Sequence, residues 1–144
     1  MKIIKIILII NFFLFSSCGF KPVSNFYNYN FKITNFNLTG DKQINKNINR
    51  NFIKFSNTKN ATRFFEIKIN SNLIKNVTSK DSTGKEASYS LNIILAVELY
   101  ENNKKIGTNS FSRKTSYNNL NSKFELKQYE NVLIKNLTDQ IILD

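Results

Sequence analysis

From Tyr27 the apolar residues fall on alternate positions: Tyr27, Tyr29, Phe31 and Ile33 against Asn28, Asn30, Lys32 and Thr34. That period is the signature of a strand with one face buried. Phe36 and Leu38 continue on the opposite parity, which predicts a bulge or the strand end near Asn35. Thr39-Gly40-Asp41 interrupts the pattern. Beyond it Ile44, Ile48, Phe52 and Phe55 recur at helical spacing, with Lys42, Lys46, Asn47, Asn49 and Arg50 off the stripe. Asp41 suits the N-cap, and the helix is expected to end between Phe55 and Thr58.

A second strand is predicted from Arg63 to Val77, where Phe65, Ile67, Ile69 and Leu73 alternate with Glu66, Lys68 and Asn70. Ser79 to Ala87, with Gly84, reads as a polar turn region. Tyr89, Leu91, Ile93, Leu95, Val97 and Leu99 then share one parity. Ile94 and Ala96 make the middle of that strand apolar on both faces, so it is expected at the centre of the sheet with part of its second face covered. Asn102-Asn103 signals a two-residue hairpin, because Asn tolerates the positive φ of a type I′ turn. The return strand, Lys105 to Tyr117, is poorer in apolar residues, as an edge strand is. Ser122 with Glu125 forms a capping box. The helix it opens carries the stripe Leu126, Tyr129, Leu133, Leu137 and Ile141, while Lys123, Lys127, Gln128, Lys135 and Asn136 face away.

The order strand, helix, strand, strand, strand, helix predicts an α+β fold: a mixed four-stranded sheet with two helices packed on it. The strand–helix–strand opening suits a parallel pair joined by a right-handed crossover. No internal repeat interrupts the single domain expected over residues 27–144.

The first seventeen residues do not belong to that domain. Lys2 and Lys5 precede an apolar run, Ile6 to Phe15, broken only by Asn11. Such a run is too short for a bilayer, which needs about 20 residues, and it reads as a signal peptide. It ends at Cys18, the only cysteine, preceded by the small residues Ser16 and Ser17. This junction resembles the lipobox of bacterial lipoproteins, although Phe15 stands where Leu is usual and Leu14 lies beside it. The resemblance implies cleavage before Cys18, two or three acyl chains on that residue, and a tether over residues 18–26. Two or three chains hold a protein to a membrane where one binds only marginally. An ordinary signal peptide, or an uncleaved anchor, with a cysteine nearby by chance, is the alternative.

Composition narrows the function. The chain has 21 basic and 10 acidic residues, a net charge of +11; without Lys2 and Lys5 this is +9. The abundance of Asn, Lys, Ile and Phe is also what an AT-rich genome produces, which discounts part of the basic charge. A basic exported domain favours lipid head groups or phosphorylated glycolipid, and export argues against nucleic acid. A lone cysteine leaves no internal disulfide. There is no His, hence no His-based triad and no His metal ligand. The ten acids, Asp41, Glu66, Asp81, Glu86, Glu98, Glu101, Glu125, Glu130, Asp139 and Asp144, are scattered, and no Gly-rich phosphate loop is present. No enzyme, metal or cofactor is expected beyond the acyl chains on Cys18. Two basic clusters remain: Lys75, Lys80 and Lys85, and Lys104, Lys105, Arg113 and Lys114. Either is ordinary solubilising charge or a site for phosphate groups.

Cys18-Gly19-Phe20-Lys21-Pro22, the strand–helix–strand, Ser88-Tyr89-Ser90-Leu91-Asn92-Ile93, the hairpin, Thr115-Ser116-Tyr117-Asn118 and the last helix together resemble the LPS-assembly lipoprotein family LptE. The resemblance spans nearly all of the chain after Cys18; the loop 79–87 and the C-terminus look shorter than in larger members. It implies a lipoprotein on the periplasmic side of the outer membrane, anchored at Cys18. Such a protein plugs a large LptD-like β-barrel, helps that barrel assemble, and assists lipopolysaccharide to the outer leaflet. Gly19 after the cysteine, rather than Asp, fits onward sorting to the outer membrane. Lys75, Lys80 and Lys85 are the candidates for glycolipid phosphates. Two rivals stand: a generic envelope lipoprotein binding another periplasmic protein or the cell wall, and an exported domain binding anionic lipid or DNA electrostatically, with a steep salt dependence.

Overall fold

The computed structural model describes residues 29–144; Tyr27, the tether, Cys18 and the leader lie outside them. The elements follow in the predicted order: β1 (Phe31–Gly40), α1 (Lys42–Ser56), β2 (Arg63–Lys80), β3 (Glu86–Glu101), β4 (Lys104–Asn118) and α2 (Lys123–Ile142). The sheet order is β1-β2-β3-β4. β1 and β2 are parallel, joined through α1, and the two following pairs are antiparallel. This is the expected α+β fold, a mixed four-stranded sheet with two helices.

The alternation starts at Tyr27, outside the described residues; among these β1 begins at Phe31, and Tyr29 precedes it, packing on Phe31 and Phe55. The switch of parity is a bulge. Ile33 pairs with Phe65 and Asn35 with Glu66, which leaves Thr34 as the extra residue. The bulge keeps Ile33, Phe36 and Leu38 on one face. Gly40 (φ +94°) turns the chain from β1 into α1. Asp41 caps the helix, its Oδ1 accepting from the amides of Gln43 and Ile44 at 2.9 Å each. Asn102 and Asn103 both take positive φ, as the hairpin prediction requires.

Both helices cover one face of the sheet. Ile44 and Ile48 of α1, and Ile134, Leu137 and Ile141 of α2, close over Ile69, Tyr89, Leu91, Ile93, Leu95 and Tyr117. Three details depart from the sequence reading. The second face of β3 is not covered by any element among the described residues: Ala96 is exposed, and Ile94 is half-buried between its ladder partners Asn72 and Ser112. The buried stripe of α2 takes in Ile134 and Thr138, while Tyr129 stays 43% exposed, because α2 packs on α1 as well as on the sheet. For the same reason Asn47, off the apolar stripe of α1, is buried.

Candidate functional site

The β2–β3 hairpin, where the first basic cluster lies, is longer than its apolar pattern. β2 runs to Lys80 and β3 starts at Glu86, so the expected turn region 79–87 narrows to residues 81–85. Hydroxyls carry this extension: Thr78 and Ser79 both reach Ser88 Oγ, at 2.6 and 2.7 Å. The tight turn is organised by Asp81, whose Oδ1 accepts from the Thr83 amide, the Thr83 hydroxyl and the Lys85 amide. Those bonds, the Thr83 hydroxyl foremost, hold the Asp81 carboxyl below its ordinary range. Gly84 supplies the positive φ of the turn. Lys80 and Lys85 are therefore exposed on a fixed, projecting tip.

Lys75 is elsewhere and otherwise engaged. Its Nζ lies 2.6 Å from Glu130 Oε1 of α2 and 4.1 Å from the Tyr89 ring centroid. The same Glu130 oxygen accepts from the Tyr117 hydroxyl at 2.7 Å, and Tyr117 stacks on Tyr89 at 5.5 Å. Tyr89 donates in turn to Glu86. Burial first, then the bond to Glu130, raises the Tyr117 phenol well above its ordinary value. The bond to Glu86 is the main cause of a rise at Tyr89. This knot ties β2, β3, β4 and α2 together, and it brings Tyr89 and Tyr117, the tyrosines of the two family-like segments, face to face. Five extended residues, about 16 Å, separate Lys75 from Lys80, so the three lysines form no single cluster.

The second basic cluster is divided too. Lys105 pairs with Glu98, while Arg113 reaches Asp144 beyond the end of α2. Lys105, with the bond from Tyr100, holds the Glu98 carboxyl below its usual range.

The bare sheet face is the largest feature that the sequence reading missed. It is built from short polar side chains bonded to one another across strands. Asn35 donates to Glu66, Thr39 to Asn70 and Ser112 to Asn92. Lys68 lies 3.8 Å from Glu66 and 4.4 Å from the Tyr100 ring centroid. A shallow depression of about 340 Å³ lies among Asn37, Thr39, Lys68, Asn70, Ala96 and Glu98. Its alternate-position signal was legible in the polar parity of β1 and β2; Ile94 and Ala96 masked it in β3. With polar groups mutually satisfied, this face can meet water or a polar wall at little cost. Among the described residues, no three acidic, Cys or His side chains gather as metal ligands, and no helix is long and apolar enough to cross a membrane.

No protein-family model matches the chain, and no curated protein matches it by sequence. Solved structures do match by shape. Rare lipoprotein B from Shewanella oneidensis superposes with a TM-score of 0.53 at 14% identity, over 76% of this chain and 91% of that one. A minor lipoprotein from Acinetobacter baumannii gives 0.50 at 12% identity, over 75% and 87%. An uncharacterized lipoprotein B from Nitrosomonas europaea gives 0.51 at 15% identity, over 77% and 79%. At such identities the likeness is one of fold, and the fold of this chain is the one those three lipoproteins share.

Proposed function

We propose that this protein is a lipid-anchored envelope lipoprotein of the LptE kind. It is held at the periplasmic side of the outer membrane by acyl chains on Cys18. It plugs an LptD-like β-barrel, helps that barrel assemble, and assists lipopolysaccharide into the outer leaflet. Its role is binding and assembly, without catalysis and without nucleic acid. The observation that carries this reading is the shared fold of three lipoprotein structures, set on a chain whose sole cysteine closes a signal-like leader. The mutually bonded polar sheet face agrees with it, since the interior of a large outer-membrane barrel is polar. Of the three candidate lysines, Lys80 and Lys85 are the pair with no carboxylate partner among the described residues and so have ammonium groups to offer a glycolipid phosphate.

Mild-detergent extraction from the native outer membrane, with co-purifying proteins identified and counted, tests the reading. A large β-barrel at about one to one is the expected result, and Cys18→Ala should leave the protein unacylated by intact mass. Recovery alone, or with cell-wall or inner-membrane partners, sinks the barrel reading and leaves a generic envelope lipoprotein.

A further inference from the structure

No Asp or Glu precedes Asp41, and between Asp41 and Glu66 stand Lys42, Lys46, Arg50, Lys54, Lys59 and Arg63 with no acid among them. Asp41 is spent as the cap of α1. Among the described residues, Arg63 alone of the six has a carboxylate partner, Glu101. The chain's other acids, nine in all, follow from Glu66 onward. α1 therefore presents cations with no carboxylate counter-ion among the described residues. Lys46 and Arg50, four residues apart, share one side of the helix, where like charges repel.

That side borders a groove of about 270 Å³ between α1 and α2, lined by Gln43, Lys46, Asn47, Arg50, Asn131 and Lys135. Gln43 Nε2 donates to the Asn131 carbonyl at 3.3 Å and ties the helices together. Lys135 is shared with Asp139 on α2, at 2.5 Å. Asn47 is 4% exposed, and its Nδ2 is a buried donor with no hydrogen-bond partner among the described residues. Arg50 donates to Asn47 Oδ1, which fixes the amide with its nitrogen unpaired. A buried donor left unpaired bears its full desolvation cost, and an apolar side chain would fill this helix seam without it. One kind of ligand answers both problems at once: an oxyanion between the two cations.

We propose that the α1–α2 groove binds a phosphate monoester, with Arg50 and Lys46 as its charge partners and Asn47 Nδ2 as a third donor. Arg50 keeps one N–H on Asn47 Oδ1 and offers the rest of its planar fork to the anion. Lys46 adds a point charge. The groove has room for the phosphate and the first atoms of its carrier. The site lies on the helix layer, away from Lys80, Lys85 and the bare sheet face, and it does not rest on the barrel reading.

The test uses the chain from residue 18 onward with Cys18→Ser, titrated with inorganic phosphate against chloride at matched ionic strength. Saturable shifts of the Asn47 side-chain amide and the Arg50 Nε–H in nitrogen-15 NMR, with a rise in Tm specific to phosphate, are the expected result. Lys46→Gln with Arg50→Gln should weaken binding by about tenfold or more. Lys104→Gln with Lys114→Gln removes the same charge elsewhere and should leave binding within about twofold. Asn47→Leu, which retains a packed seam, should abolish the phosphate-specific rise in Tm. Vesicles containing phosphatidate distinguish the source: binding that depends on Lys46 and Arg50 assigns a lipid headgroup, and binding of free phosphate alone assigns a soluble monoester. Equal responses to phosphate and chloride, or unchanged binding in the Lys46 and Arg50 double variant, overturn the site whatever partner the extraction recovers.

Discussion

At Gly40 a Cβ would stand 1.9 Å from the Ser71 carbonyl oxygen, with φ at +94°. At Gly84, φ is +82° and a Cβ would meet nothing within 4 Å. The two turns thus need glycine for different reasons, one steric and one conformational. Gly40→Ala must push β1 from β2 or unseat the cap of α1, and should cost about 3 kcal/mol or more by urea denaturation. Gly84→Ala should cost about 1 kcal/mol, the conformational penalty alone. Tyr117 poses a different test at the same scale. Its folded-state pKa is raised, so the neutral phenol is the form the fold favours. That stability is fully present below the unfolded value, about 10, and is lost as pH rises through the folded one. Absorbance at 295 nm should show tyrosines that ionise late, Tyr117 and Tyr89 among them, with Tm falling as pH rises above about 10. Tyr117→Phe should shrink the late phase; an unchanged late phase would assign it to other residues.

Elements whose boundaries are set by backbone conformation or capping were readable in the sequence. The shift from Phe31 and Ile33 to Phe36 and Leu38 is the Thr34 bulge seen as a change of parity. Asp41, Ser122 and Asn102-Asn103 are each the residue type that their position demands. The far half of the β2–β3 hairpin was not readable, because hydroxyl bonds among Thr78, Ser79 and Ser88 replace apolar alternation there. Lys75 looked like its neighbours Lys80 and Lys85 because its partner, Glu130, is 55 residues away. Asn47 looked like one more off-stripe polar residue, since nothing local announces that α2 lies over it. The hairpin therefore has a structural base and a free tip, which substitution should separate. Lys75→Ala, which strips a partner from Glu130 and the cation from Tyr89, should cost about 1 kcal/mol. Lys80→Ala with Lys85→Ala should stay within about 0.5 kcal/mol, the range of surface changes. A tip variant as destabilised as Lys75→Ala would mean that the tip is structural too.

A two-layer molecule with both helices on one side has two unlike surfaces, and the proposals made for this protein divide between them. The sheet face carries short polar side chains with the ions Glu66, Lys68 and Glu98 among them, and its polar groups answer one another across strands. The helix layer carries the cations of α1, without carboxylate partners among the described residues. Stability is held between the layers, so substitutions on the outer side of the sheet should leave it intact. Ala96→Lys, exposed beside the Asn37, Thr39 and Asn70 depression, should unfold at nearly the wild-type temperature. Ile93→Lys, with 0% exposure on the opposite face of the same strand, should not fold, because it buries an unpaired charge. If the bare face is what meets the barrel wall, Ala96→Lys should reduce the barrel recovered per molecule while the phosphate response of the α1–α2 groove is unchanged. Full barrel recovery with Ala96→Lys would move the contact to the helix layer. Lys46→Gln with Arg50→Gln would then have to lower barrel recovery, and the two surfaces would be one function instead of two.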